Sequence, residues 1–189
     1  ADMHMDLTQL NHIGSGNFTA DNFLLETATT AGEASFTYAG IPYLVKTKTA
    51  IDAAIDVNLP QNKYSFAKAK ATINELKIDG DGFFQLVNDS TYNMDIVFKT
   101  PSNEFRDILS LVPAIYQKDF KDLTTKGTAA FEGFVRGIYA PGKIPAYTVN
   151  AIIKDGFFQY PDLPKPVKDI NLQLKASNVD GQPDNTIID

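Results

Sequence analysis

The chain of 189 residues has no cysteine, no tryptophan, two histidines and three methionines. Without cysteine there can be no disulfide, thiolate metal site or cysteine nucleophile, although the compartment stays open because many periplasmic proteins also lack it. Without tryptophan the usual platform for stacking a sugar ring is gone, and Tyr and Phe substitute only in part. No stretch approaches the roughly 18–20 apolar residues of a membrane-spanning helix, and the first residues do not read as a signal peptide. Basic residues are in the minority, 17 against 23 acidic, for a formal charge of -6. They are scattered rather than massed, and such a surface repels phosphate backbones, which argues against nucleic acid as a partner.

What is present is the composition of an ordinary folded protein, 43% hydrophobic and 21% charged. One β-rich domain over residues 1–189 is expected. The start "ADMHMDLTQL" and the finish "DNTIID" read as cut from a longer protein.

Ile51 to Leu59 places apolar side chains on odd positions, Thr91 to Lys99 on even ones, and Ile170 to Lys175 repeats the alternation. That period of two belongs to strands with one dry and one wet face, as in antiparallel sheets. Gly40-Ile41-Pro42 and Ala140-Pro141-Gly142-Lys143 are turn signals. The second joins Thr128–Tyr139 to Ala146–Lys154 as a hairpin. The expected fold is mainly β, an elongated or sandwich-like antiparallel β-meander. One amphipathic helix interrupts it at about 101–120, where Phe105, Ile108, Leu109 and Val112 form a stripe at helical spacing. Thr100 or Ser102 is expected to cap that helix, Pro101 to sit in its first turn, and Pro113 to end it, leaving Ala114 to Phe120 as a turn or second short helix.

"DGFFQ" occurs at Asp81–Gln85 and again inside "IIKDGFFQY", 74 residues later. The similarity extends outward, which predicts repeated strand units around 64–102 and 144–178. Adjacent strand residues point to opposite faces, so a doubled phenylalanine cannot line one pocket and reads as architecture. The glycine is expected at a bulge or bend.

No catalytic constellation emerges. His4 and His12, near Asp2 and Asp6, match no recurring ligand spacing and read as an exposed, poorly ordered terminus. "GSGNF" at Gly14–Phe18 lacks the lysine of a phosphate loop and reads as a turn. Asp79 with Asp81, or Asp52 with Asp56, are carboxylate pairs that read as a solvated strand face. Asp79–Gly82 resembles the start of a calcium loop but lacks the downstream acidic ligands. A glycoside-processing site needs converging carboxylates about 5 to 10 Å apart, and the acids here lie mainly on turns and wet faces.

Four strings in order, "IPYLVKTKTAIDAAIDVNL", "YSFAKAKATINELKIDGDGFFQL", "FRDILSLVPAIYQKDFKDLTTKGTAAFEGFVRGIY" and "VNAIIKDGFFQYPDLPKPVKDINLQLKASN", resemble the AsmA-like proteins of the Gram-negative envelope, in their Bacteroidetes-type form. The resemblance runs from about Gly40 onward, and it extends to TamB and the bridge-like lipid transfer proteins. It implies a non-enzymatic periplasmic body of long antiparallel sheet, anchored in the inner membrane by segments absent from this chain and serving outer-membrane biogenesis. Its expected ligand is phospholipid or another lipid, with other envelope proteins as possible partners and no cofactor or metal. The hypothetical lipid-contacting face comprises Ile51, Ile55, Val57, Tyr92, Met94, Ile96, Phe98, Val149, Ile153, Ile170, Leu172 and Leu174, with the helix around Ile108 capping one end. The alternative is an envelope scaffold or interaction domain whose sheet edges add strands to partners.

Overall fold

Each alternating segment becomes a strand, and every strand joins one sheet. The computed structural model describes residues 3–38, 40–101, 104–112, 122–161 and 165–189. It runs β1 (Met3–Thr8), β2 (Asn11–Ser15), β3 (Asn22–Tyr38), β4 (Ile41–Asn58), β5 (Lys63–Ile73), β6 (Leu76–Asn88) and β7 (Thr91–Lys99). Helix α1 (Phe105–Leu109) follows, then β8 (Thr124–Tyr139), β9 (Ala146–Gln159), β10 (Val167–Asn178) and β11 (Ile187–Ile188). Pairing is antiparallel and sequential from β3 to β10; β1 and β2 lie in line along the outer edge of β3, and β11 covers two residues of β10. The meander is a single layer that does not close into a barrel. Its accessible surface is 12013 Å² for 20.8 kDa, against about 9,000 Å² for a compact monomer of that mass. Most side chains therefore have packed neighbours on one side only.

The long strands bend at bulges. Lys46, Lys68 and Asp155 hold left-handed backbone at φ 48, 57 and 52. Each sits at a shift in register, and each donates its N–H to a side chain of the adjacent strand: Ser35 Oγ at 3.0 Å, Asp81 Oδ1 at 2.9 Å and Asn171 Oδ1 at 3.1 Å. A bulge frees a backbone donor from the ladder, and a short polar side chain opposite satisfies it. Asp81, the first letter of the repeated pentapeptide, is thus a bulge cap. Both repeat glycines lie beside such shifts: Gly82 pairs with Phe66 and Gly156 with Ile170. Gly82 has φ +142, and a Cβ there would strike the Asp95 carbonyl.

The helix is shorter than the stripe implied. Five residues are helical, and the N-cap is Glu104, with no side-chain cap bond. Thr100 instead extends the β7–β8 ladder, its N–H bonding to the Phe131 carbonyl while its Oγ1 accepts from the Phe131 N–H. Three stripe residues face inward, but Val112 lies past the helix and is exposed. Ser102 and the segment Pro113–Phe120 lie outside the described residues.

The terminus bearing the histidines was expected to be poorly ordered; it forms β1 and β2 instead. Their period-two pairing with β3 supplies the hydrogen bonds that hold them. The repeat units also differ in extent: residues upstream of "DGFFQ" cross a turn between β5 and β6 in the first copy but belong wholly to β9 in the second. The shared part is one strand and its following partner.

Candidate functional site

Residues directly opposite in an antiparallel ladder share a face, so the register can be followed across the whole sheet. One row runs Leu25, Ile55, Phe66, Gly82, Ile96, Val135, Tyr147 and Asn178. Parallel rows carry Thr29, Ile51, Ala71 and Ile78, and Phe98, Gly133, Val149 and Ala176. All twelve residues proposed for the apolar face fall on this one side of the sheet. Val57 and Ile153 are buried, at 4% and 8% exposure, and Ile170 packs beneath the helix. Ile51 and Leu172 stand exposed at 50% and 46%, and the others are half-buried.

Aromatic rings tie this face together. Phe84 stacks on Tyr92 at 5.4 Å, Tyr92 meets Tyr139 at 6.0 Å, and Phe98 meets Phe131 at 5.5 Å. The doubled phenylalanines split between faces in both copies. Phe83 lies on the polar side under the Lys63 ammonium at 4.2 Å, while its neighbour Phe84 joins the apolar stack. Phe157 likewise lies near the Lys126 ammonium at 5.7 Å, and Phe158 packs against Tyr160 and the helix cluster. The repeated doublet is therefore a sheet-building unit.

The face has two ends of different character. At β8–β10, Phe105 and Leu109 of α1 and Leu123 close over Ala129 and Ile153, making a dry cluster. Ser110 fastens the segment to the β5–β6 turn: its carbonyl accepts from Asn74 Nδ2 at 2.8 Å and its Oγ from the Glu75 N–H at 3.1 Å. At β1–β5 no helix among the described residues lies over the face, and Leu7 and Ile51 are exposed there although Val57 is buried. A groove of about 270 Å³ lies there, floored by Ala31, Ala34 and Ala71 and flanked by Leu7, Phe36 and Ile51. Thr29 and Ser35 on its rim are bonded to His12 Nδ1 and the Lys46 N–H, and among the described residues no buried side-chain polar atom lacks a partner. Sequence reading named Ile51 at this end but missed β1 and β3. "MHMDL" does alternate, but the small residues of β3 carry too little hydrophobic contrast to mark a strand.

The opposite face is polar and ordered by charge. A row across five strands reads Asp52, Lys70, Asp79, Lys99 and Glu132, with sign alternating at each step. Asp95 and Arg136 are paired there at 2.9 Å. Asp79 and Asp81 lie in mid-strand rather than in a loop, and with Lys99 and Glu132 they line a shallow depression of about 410 Å³. His4 bonds Asp6 at 2.9 Å on the polar side, whereas His12 bonds Thr29 at 2.8 Å on the apolar side. The two imidazoles thus lie on opposite faces. Comparison with protein-family models, curated proteins and solved structures found no match.

Proposed function

We propose that this chain is the lipid-carrying sheet of an AsmA-like periplasmic protein, non-enzymatic and serving outer-membrane biogenesis from a parent anchored in the inner membrane. One observation carries the reading: a single unclosed sheet presents an apolar face from β1 to β10, which among the described residues is roofed by the short helix at one end only. An apolar sheet face ordinarily packs against a second layer. Acyl chains are an alternative cover, each buried methylene contributing about 0.8 kcal/mol without any directional bond. The mainly apolar lining of the β1–β5 groove fits such a ligand, and the charged opposite face keeps the other side wet. The resemblance of the four sequence strings points the same way.

Native mass spectrometry of gently purified protein, followed by lipid extraction and identification, tests the proposal. Near-stoichiometric phospholipid is expected, and Ile96→Asp with Leu172→Asp should remove it while circular dichroism still reports folded sheet. Lipid-free protein that also takes up no fluorescent phospholipid would overturn the reading.

A further inference from the structure

Tyrosine suits a border between greasy and wet surface, because its ring is apolar and its hydroxyl seeks a hydrogen bond. On the apolar face, Tyr64, Tyr92 and Tyr139 all stand at one margin. Tyr64 and Tyr92 are the second residues of β5 and β7, and Tyr139 is the last of β8, so the β4–β5, β6–β7 and β8–β9 turns lie just beyond them. Tyr92 sits opposite both Leu86 and Tyr139. The row beside it, from Val57 through Tyr64, Phe84 and Met94 to Gly137, carries no charge. All three tyrosines are half-buried.

Among the described residues, none accepts a hydrogen bond from these three hydroxyls. Tyr147, at the same margin on β9, differs, since its hydroxyl meets Thr186 Oγ1 at 2.9 Å. The other ends of these strands are closed instead. There Phe105, Leu109 and Leu123 cover Ala129 and Ile153, Leu76 is 1% exposed, and Ser110 is bonded to Asn74 and Glu75 in the β5–β6 turn. Between β5 and β8 the face therefore has one dry, sealed end and one end with three donors that no described residue engages.

We infer that this tyrosine margin takes the ester and phosphate oxygens of a glycerophospholipid, whose acyl chains run along the strands into the face. The inference rests on the lipid reading above and adds an orientation to it. An acyl chain by itself asks for no donor, so the hydroxyls select for the head of the molecule. From β5 to β8 is three strand spacings, about 14 Å, which gives room for the acceptor oxygens of one such head. One leaflet's chains extend about 15 Å, half of a bilayer's hydrocarbon core. A chain starting at Tyr64 thus passes Phe66 and reaches Ala69, beside the groove floored by Ala71. The reverse orientation would press the polar head against the dry α1 cluster and leave three hydroxyls facing hydrocarbon, a desolvation cost with nothing to offset it.

The test compares uptake by the full chain of pyrene-labelled phosphatidylglycerol and of diphenylhexatriene, a hydrocarbon with no acceptor oxygen. Tyr64→Phe, Tyr92→Phe and Tyr139→Phe combined should weaken phospholipid binding at least tenfold, leave hydrocarbon binding within about twofold, and keep the circular dichroism unchanged. Tyr147→Phe, which removes a hydroxyl already engaged, should leave both probes alone. Phosphatidylethanolamine should behave as phosphatidylglycerol does, because the two share glycerol and phosphate. Orientation is read separately. The chain has no tryptophan, so Tyr64→Trp and Ile51→Trp each introduce a single indole, one at the margin and one within the face. Phospholipid carrying a nitroxide near the acyl carbonyl should quench the first more strongly, and with the nitroxide near the chain end it should quench the second. Undiminished phospholipid uptake by the triple variant, or the opposite quenching order, would overturn the inference and leave lipid carriage standing. Unmodified protein that takes up neither probe would overturn both.

Discussion

The two ends of the apolar face are made of the same residue types on the same sheet, yet they do different work. Under α1, Ala129 and Ile153 are closed into a dry cluster with Phe105, Leu109 and Leu123. Across the sheet, Leu7 and Ile51 point from the same face and are half exposed. Cover is the whole difference. A side chain buried by the chain itself contributes to folding, and one left bare contributes only when something else arrives to bury it.

That contrast makes sharp demands on mutants. Phe105→Ala should cost about 3–4 kcal/mol of folding stability, the range for an aromatic removed from a closed cluster, measured as a shift in denaturant midpoint at unchanged slope. Asn178 is the polar counterpart, buried to 1% exposure, with its Oδ1 accepting from the Gly181 N–H and its Nδ2 donating to the Gln182 carbonyl. Asn178→Ala should cost about 2 kcal/mol by stranding those groups, read from the same melts. Asp81→Ala should cost about 1 kcal/mol by uncapping the Lys68 bulge, and Asp81→Asn, which keeps an acceptor oxygen, should recover most of it. Ile51→Asp at the bare end should change stability by no more than about 0.5 kcal/mol, the range for surface sites, while abolishing fluorescent phospholipid uptake. If Ile51→Asp unfolds the protein as readily as Phe105→Ala, the two ends are equivalent and the distinction collapses.

Legibility varied along the chain for identifiable reasons. Thr91–Lys99 was readable to the residue because Tyr92, Met94, Ile96 and Phe98 alternate with polar neighbours. The 17-residue β3 was not, since its threonines and alanines blur the period. The helical stripe was real for Phe105, Ile108 and Leu109, but the chain leaves the helix before Val112. The division of Phe83 from Phe84 between faces followed from strand geometry alone, as did the bulge beside each repeat glycine. The role of Asp81 was hidden, because a bulge cap depends on which strand lies alongside.

Local periodicity determined that this chain makes antiparallel strands with one greasy and one wet side, since alternation is a property of neighbours along the backbone. It also determined which residues of a given strand share a side. Only the tertiary structure decided that the twelve named residues from four strands lie on one continuous face, because that depends on register between strands distant in sequence. Only it decided that the strands form one layer rather than two, and that α1 roofs one end of the face while no described helix roofs the other. These are matters of which surfaces meet, and no single stretch of sequence contains both sides of a contact.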